Sequence, residues 1–179
     1  MSCDPFQTNY VLVGPQNVKF TLRLEKSQER AYYLAAMYGY YDTEKAKRRC
    51  LADASGKGYL KVVKCLISKG GADMRAGNDH ALMWASGFGH LEVVKCLISK
   101  GGADVRAGND HALRLASRYG HLEVVKYLVG MEADIHAVND CALRRASEWG
   151  RLEVVKYLVS QGANVHTEGD YALKWACDK

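Results

Sequence analysis

Apolar residues recur at helical spacing in short segments along most of the chain. In the segment 91–98 they fall on one helical face, at i, i+3, i+6 and i+7: Leu91, Val94, Leu97 and Ile98. Glu92 and Lys95 lie one turn apart on the opposite face, where they can form a weak surface pair. This pattern predicts a short amphipathic helix that is buried on one side only.

The same pattern returns at a fixed interval. The run Asn-Asp-x-Ala-Leu begins at residues 78, 109 and 139, and a looser copy begins at 169. Its aspartates, Asp79, Asp110, Asp140 and Asp170, are separated by 31, 30 and 30 residues. Such self-similarity is typical of stacked repeats, in which each unit buries its apolar stripe against its neighbours.

Each unit reads as two short helices. The first helix is predicted to start after the aspartate, whose carboxylate would accept the free N–H groups of the first turn. It is predicted to end at Gly89, Gly120 or Gly150, because glycine readily takes the left-handed conformation that ends helices. Small alanines in the first helices should let neighbouring units approach closely: Ala85, Ala116 and Ala146.

The segment Gly120–Leu128, Gly-His-Leu-Glu-Val-Val-Lys-Tyr-Leu, followed by Ala-Asp-Ile at 133–135, resembles the ankyrin repeat. The resemblance covers residues 50–179 and extends more weakly from about residue 29. It implies an all-α solenoid of paired helices. The units have 30 or 31 residues instead of about 33, so we expect short turns where the family builds a β-hairpin finger. The shortened units also resemble the ankyrin proteins of giant DNA viruses of amoebae.

The N-terminal part follows a different pattern. Apolar residues in 10–13 and alternating apolar residues in 18–24 flank Gly-Pro-Gln-Asn, which predicts a β-hairpin. We therefore divide the chain into an N-terminal segment with this hairpin (1–28), N-terminal capping helices (29–50) and about four ankyrin repeats, the last a half unit (51–179).

Composition narrows the class of protein. The 179 residues are 48% hydrophobic and 25% charged, which excludes a disordered tail. No apolar run approaches the roughly 18 residues of a membrane helix, and the first residues lack a secretory signal. The six cysteines form no C-x-x-C pair, so we expect free thiols in a reducing, intracellular compartment, which would be the host cytoplasm if the protein is viral.

The sequence contains no pattern of catalytic or metal-binding residues that we recognise, and we expect neither an enzyme nor a cofactor. Histidines recur with the repeat at a stacking distance of about 10 Å, too far apart to share one metal. His90 and His121 match the family position that serves the turn between helices. Cys65 and Cys96 take the second-helix position that Tyr127 and Tyr157 hold in later units, and they are interpreted as packing residues.

The resemblance places the binding surface on the concave groove, which the first helices and the turns line. Carried over by register, the candidate partner-binding residues are Arg75, Trp84, Phe88, Arg106, Arg114, Arg118, Tyr119, Arg144, Arg145, Trp149 and Trp175. Aromatic and arginine side chains often anchor protein interfaces, and the arginines favour a partner with acidic character. The aromatic rings could instead only cover gaps between neighbouring helices.

Two other functions stay open. The arginines could bind nucleic acid or another polyanion, although a net charge of +5 is modest. The solenoid could also act as a structural or virion-associated spacer. We expect no membrane partner.

Overall fold

A computed structural model of the chain describes residues 11–13, 19–21, 29, 33, 36, 44–68 and 79–167. Within these residues the chain forms eight helices. They are α1 (Glu44–Gly56), α2 (Leu60–Ser68), α3 (His80–Gly87), α4 (Leu91–Gly101), α5 (Ala107–Tyr119), α6 (Leu122–Gly130), α7 (Ala137–Glu148) and α8 (Leu152–Ser160).

The helices pair within each unit and stack from unit to unit. Helices α1, α3, α5 and α7 pack side by side in chain order, and the second helices α2, α4, α6 and α8 form a parallel row. The predicted alanines allow the close packing of the first helices, since Ala85, Ala116 and Ala146 are fully buried. The all-helical repeat architecture is confirmed.

The core is a column of equivalent side chains. Each first helix contributes one buried leucine (Leu51, Leu82, Leu113 and Leu143), and each second helix contributes another (Leu66, Leu97, Leu128 and Leu158). Burying one such side chain fully stabilises the fold by roughly 1.5–3 kcal/mol.

The buried stripe of the second helix is wider than the sequence pattern predicts. In α4, Val94 and Leu97 are buried as expected, but Leu91 and Ile98 are only half-buried. Val93 and Cys96, which the pattern leaves out, are buried as well. The reason is that α4 packs against α3 and also against the second helices of both neighbouring units.

Glycines end the first helices as predicted. Gly89, Gly120 and Gly150 have φ values of 77°, 84° and 64°, in the left-handed region. Gly89 is also required by packing, because a Cβ atom there would lie 2.5 Å from the Nδ1 atom of His121. Glycine therefore leaves room for the imidazole of the next unit.

That imidazole forms a hydrogen bond between units. The Nε2 atom of His121 lies 2.9 Å from the carbonyl oxygen of Gly87, and the Nε2 atom of His90 lies 3.0 Å from that of Gly56. In the next unit Arg151 takes the same position and donates from Nε to the carbonyl oxygen of Arg118 at 3.2 Å. The predicted structural role of the two histidines is confirmed, and it extends to the preceding unit.

The predicted role as helix caps is wrong for the three aspartates that the structure describes, and Asp170 lies outside the described residues. Asp79 precedes α3 but forms no side-chain cap bond. The Oδ1 atom of Asp110 accepts a hydrogen bond from the backbone N–H of Asp134 at 2.8 Å, and Asp140 accepts one from Asn164 at 2.9 Å. These carboxylates are buried, and each holds the loop that follows the second helix of its own unit and leads into the next.

A tight left-handed turn replaces the β-hairpin finger in two described units. Gly108, Asn109 and Asp110 all have positive φ values, of 61°, 56° and 57°. Val138, Asn139 and Asp140 repeat the turn. The chain then passes directly into regular helix, which confirms the expected short connections for these units. A β-branched residue such as Val138 is strained in this region.

The outer face carries the predicted ion pairs. The Lys95 Nζ and Glu92 Oε1 atoms are 2.7 Å apart, and equivalent pairs occur in α6 and α8. Their exposure makes each worth little. Cys65 is half-buried and Cys96 is buried, and both are free thiols, as their interpretation as packing residues requires.

Two N-terminal features complete the description. Strands β1 (Val11–Val13) and β2 (Lys19–Thr21) are antiparallel, with Leu12 opposite Phe20. The residues between them lie outside the described part, so the hairpin stays a prediction. Helix α1 runs across residue 50, so the predicted boundary between capping helices and repeats falls inside a helix.

The buried aspartate allows a test of what holds the units together. Asp110→Ala should lower the free energy of unfolding by about 1–3 kcal/mol, because it leaves the Asp134 N–H without its acceptor. Asp110→Asn keeps an acceptor and tolerates the left-handed conformation. It also removes a buried charge whose desolvation raises the pKa of Asp110, so it should retain or increase stability at pH 7. Urea unfolding compares the two variants, and equal losses would contradict the hydrogen-bond role.

The histidine between units predicts a dependence of stability on pH. Burial lowers the pKa of His121 below its ordinary 6.5, partly offset by the Gly87 hydrogen bond. The unfolded chain therefore binds a proton near pH 6.5 that the folded chain does not yet bind, and stability should fall as the pH drops below 6.5. His121→Arg, which copies Arg151, should make the midpoint temperature of thermal unfolding depend less on pH between pH 7 and 5. If the midpoint temperature falls equally with pH in the variant and the wild type, His121 does not contribute to the pH dependence.

Candidate functional site

Nine of the eleven candidate partner-binding residues lie in the described part of the chain. Most of them are found near the C-terminal ends of α3, α5 and α7, which are neighbours in the row of first helices. Arg75 and Trp175 lie outside the described residues.

Two exposed aromatic rings form the apolar part of the site. Trp84 and Phe88 are 50% and 56% exposed, and their rings stack with centroids 5.8 Å apart at an angle of 16°. They lie over Gly56 at the end of α1, where an added Cβ atom would be 3.5 Å from the Cβ atom of Trp84. The pair therefore packs against the preceding unit.

A second aromatic pair holds an arginine. Tyr119 and Trp149 have ring centroids 6.4 Å apart, tilted by 53°. The Arg118 guanidinium carbon lies 4.6 Å from the Trp149 centroid and 5.4 Å from the Tyr119 centroid. Both distances are within the range of cation–π attraction, so the two rings fix the position of the cation.

The two aromatic pairs belong to one surface. Tyr119 lies against Gly87, since an added Cβ atom there would be 4.0 Å from the Tyr119 Cδ2 atom, and Gly87 precedes Phe88. Each aromatic residue thus packs over the preceding unit, which the gap-covering interpretation requires. Tyr119 and Trp149 nevertheless remain 43% and 40% exposed, so packing between units leaves much of each ring available.

Two predicted arginines are instead occupied within the fold. Arg114 donates from Nη2 to the Gly108 carbonyl at 2.8 Å and from Nε to the Asn109 carbonyl at 3.0 Å. Arg144 makes the same two bonds to Val138 and Asn139 in the next unit. Both arginines therefore hold the carbonyl groups of the left-handed turns.

Arg106 and Arg145 are also engaged by neighbours. Arg106 donates from Nε to the carbonyl oxygen of Glu132 at 2.9 Å, which links adjacent units. The Arg145 Nη1 atom lies 3.5 Å from the Oε2 atom of Glu148 on the same helix. The carboxylate of Glu148 thus pairs with the charge of Arg145.

Arg118 differs from these four arginines. Within the described residues it forms no ion pair, and its side chain has no hydrogen-bond partner. Its Nε atom is enclosed, whereas its terminal nitrogens are not. We call the group formed by Trp84, Phe88, Arg118, Tyr119, Arg145 and Trp149 the aromatic–arginine surface.

Among the described titratable groups outside this surface, burial is the main cause of each pKa shift. No group of three ligating side chains that could hold a metal occurs in the described ranges. Burial lowers the pKa of His111, and the nearby charges of Arg114 and His80 add to the effect. Burial raises the pKa of the Cys96 thiol, which keeps it protonated and unreactive. None of the helices in the part that the structure describes is long and apolar enough to cross a bilayer.

Comparison with known proteins identifies the repeats. A family model described as ankyrin repeats, in three copies, matches residues 51–139 and 108–169. The two matches together span more than half of the 179 residues. Curated proteins give no match.

The different roles of the arginines can be tested by stability. Arg114→Met, which copies Met83 of the preceding unit, should lower the free energy of unfolding by about 1–2 kcal/mol, because two carbonyl groups lose their donor. Arg118→Met should cost less, about 0.5–1 kcal/mol for an exposed cation–π contact. Urea unfolding of both variants checks the order, and a larger loss for Arg118→Met would reverse the assignment.

Proposed function

This chain belongs to the ankyrin-repeat family, and we propose that it binds a protein partner through the aromatic–arginine surface. Ankyrin repeats generally serve as protein–protein interaction modules, and repeat proteins use extended surfaces of this kind for binding. In this proposal the stacked core supplies a rigid support, and the side chains at the ends of the first helices make the contacts.

The observation that carries the proposal is the state of Arg118. Its charge has no partner among the described residues, yet its position is fixed by Tyr119 and Trp149. A fixed side chain loses less conformational entropy on binding than a mobile one. Tryptophan, tyrosine and arginine are also the residue types most enriched at interface hot spots.

The proposed partner has acidic character, because a carboxylate can accept hydrogen bonds from the terminal nitrogens of Arg118. We place the interaction in a reducing intracellular compartment. The resemblance of the shortened repeats to those of giant-virus proteins supports a host protein as the partner, in which case the compartment is the host cytoplasm.

The two alternatives have less support. Binding of nucleic acid or another polyanion needs several cations that can turn their donors to phosphates, whereas Arg106, Arg114 and Arg144 donate to backbone carbonyl groups and Arg145 lies beside Glu148. A structural spacer would not need half-exposed aromatic rings around an unpaired cation.

Affinity capture from cell lysate tests the proposal with three versions of the chain. They are the wild type, an Arg118→Ala/Trp149→Ala variant and a control, Lys126→Ala/Met131→Ala, which removes one cation and one exposed apolar side chain elsewhere in the same unit. We expect the first variant to capture at least about tenfold less of the partner than the wild type, while the control captures as much as the wild type. Circular dichroism of each chain confirms that the fold is intact.

The same experiment distinguishes the alternatives. Nuclease treatment should leave the captured protein unchanged, and a loss on nuclease treatment would favour a polyanion ligand. Equal capture by the wild type and the Arg118→Ala/Trp149→Ala variant, with the fold intact, would contradict use of this surface.

A further inference from the structure

The aromatic–arginine surface changes character from one unit to the next. The segment 80–89, which carries Trp84 and Phe88, contains no aspartate, glutamate, lysine or arginine. Helix α5 and helix α7 carry arginines at the same surface, and Arg145 is paired with Glu148 while Arg118 is not. A ligand that crosses the stack therefore meets an apolar contact first and, one unit later, a cation without a carboxylate partner in the described part of the chain.

We propose that the partner binds as an extended acidic segment that places an apolar side chain on Trp84 and Phe88 and a carboxylate on Arg118. This inference rests on the proposed function and specifies the chemistry of the partner. Charge complementarity supports it, because Arg118 is the member of the surface whose positive charge is not already balanced by a neighbouring carboxylate in the described residues.

The apolar contact is built for a flat side chain. The Trp84 and Phe88 rings are nearly parallel, at 16°, and each is at least half exposed. The exposed parts of the two stacked rings offer apolar area to an aromatic or aliphatic side chain. The Trp84 Cβ atom and the Phe88 ring also lie next to Gly56 at the end of α1.

The cationic contact is built for a carboxylate. The guanidinium group stacks on the Trp149 ring at 4.6 Å, and a stacked guanidinium still presents donors at its edge. The planar fork of arginine matches the two oxygens of a carboxylate. The Trp149 and Tyr119 rings hold the guanidinium in place, and the enclosed Nε atom leaves the terminal nitrogens to make the contact.

The spacing of the two helices that carry the contacts sets the proposed ligand pattern. Helices α3 and α5 are neighbours in the row, and packed helices lie about 8–10 Å apart. In an extended segment of polyproline II type, residues i and i+3 point to the same side and are about 9 Å apart. The expected motif is therefore an apolar residue and an acidic residue three positions apart.

Selection of random twelve-residue peptides displayed on phage tests this motif. The target is the full chain as wild type, Arg118→Glu and a control, Lys126→Glu, which reverses a charge on the outer face. We expect the wild type and the control to enrich peptides with an acidic residue three positions from an aromatic or large aliphatic one. Arg118→Glu should lose this enrichment.

A synthetic version of the best peptide then tests the individual contacts. Replacing its acidic residue by the amide should weaken binding to the wild type about tenfold and leave binding to Arg118→Gln unchanged. Replacing its apolar residue by alanine should weaken binding to the wild type and leave binding to Trp84→Ala/Phe88→Ala unchanged. Arg118→Gln provides the same test if Arg118→Glu fails to fold.

The outcomes separate this inference from the proposed function. Peptides that require Arg118 and Trp149 but lack the three-residue spacing would overturn the inference and leave the proposed function standing. Peptides bound equally by the wild type and the Arg118→Ala/Trp149→Ala variant would count against both. Failure to enrich any peptide would overturn the inference that a short acidic segment is sufficient.

Discussion

The structure depends on hydrogen bonds that hold each unit in register with the next. A carboxylate from the start of a first helix accepts the backbone N–H of the loop that leads into the following unit, as Asp110 does with Asp134. A side chain at the start of α4, α6 and α8 bonds back to the preceding unit, as His121 does with Gly87. These bonds are directional where the apolar contacts are not, so they fix how far and at what angle the units stack.

The short turns follow from this constraint. The buried aspartate must point away from its own helix, and three consecutive left-handed residues achieve this in place of a longer finger. The turn leaves carbonyl groups that need donors, which Arg114 and Arg144 supply. The strain accepted at Val138 shows that the register of the stack outweighs the conformational preference of one residue. Most of the candidate arginines thus help to hold the repeats together.

The features that recur in every repeat could be predicted from the sequence. Contacts between residues that are far apart along the chain could not. Helix positions, terminal glycines, buried alanines and outer ion pairs follow from local spacing, and the structure confirms them. The role of Asp110 was wrong because its partner lies 24 residues away, and the N-cap preference is a local rule. The candidate arginines could not be distinguished in the sequence, because local rules do not show which distant groups each one contacts. Type and register placed them on one surface, but only the geometry separates Arg118 from those that bind carbonyl groups.

Variation at one repeat position then explains why this surface is uneven. The residue before each terminal aromatic is Gly87, Arg118 and Glu148 in successive units. Glycine lies next to Tyr119, arginine stacks on Trp149, and glutamate pairs with Arg145. The framework positions around them barely change, since each unit keeps its buried alanine, its leucines and its glycine. A stack held by constant bonds can therefore vary at this position without loss of register, which is where a distinct binding specificity can arise.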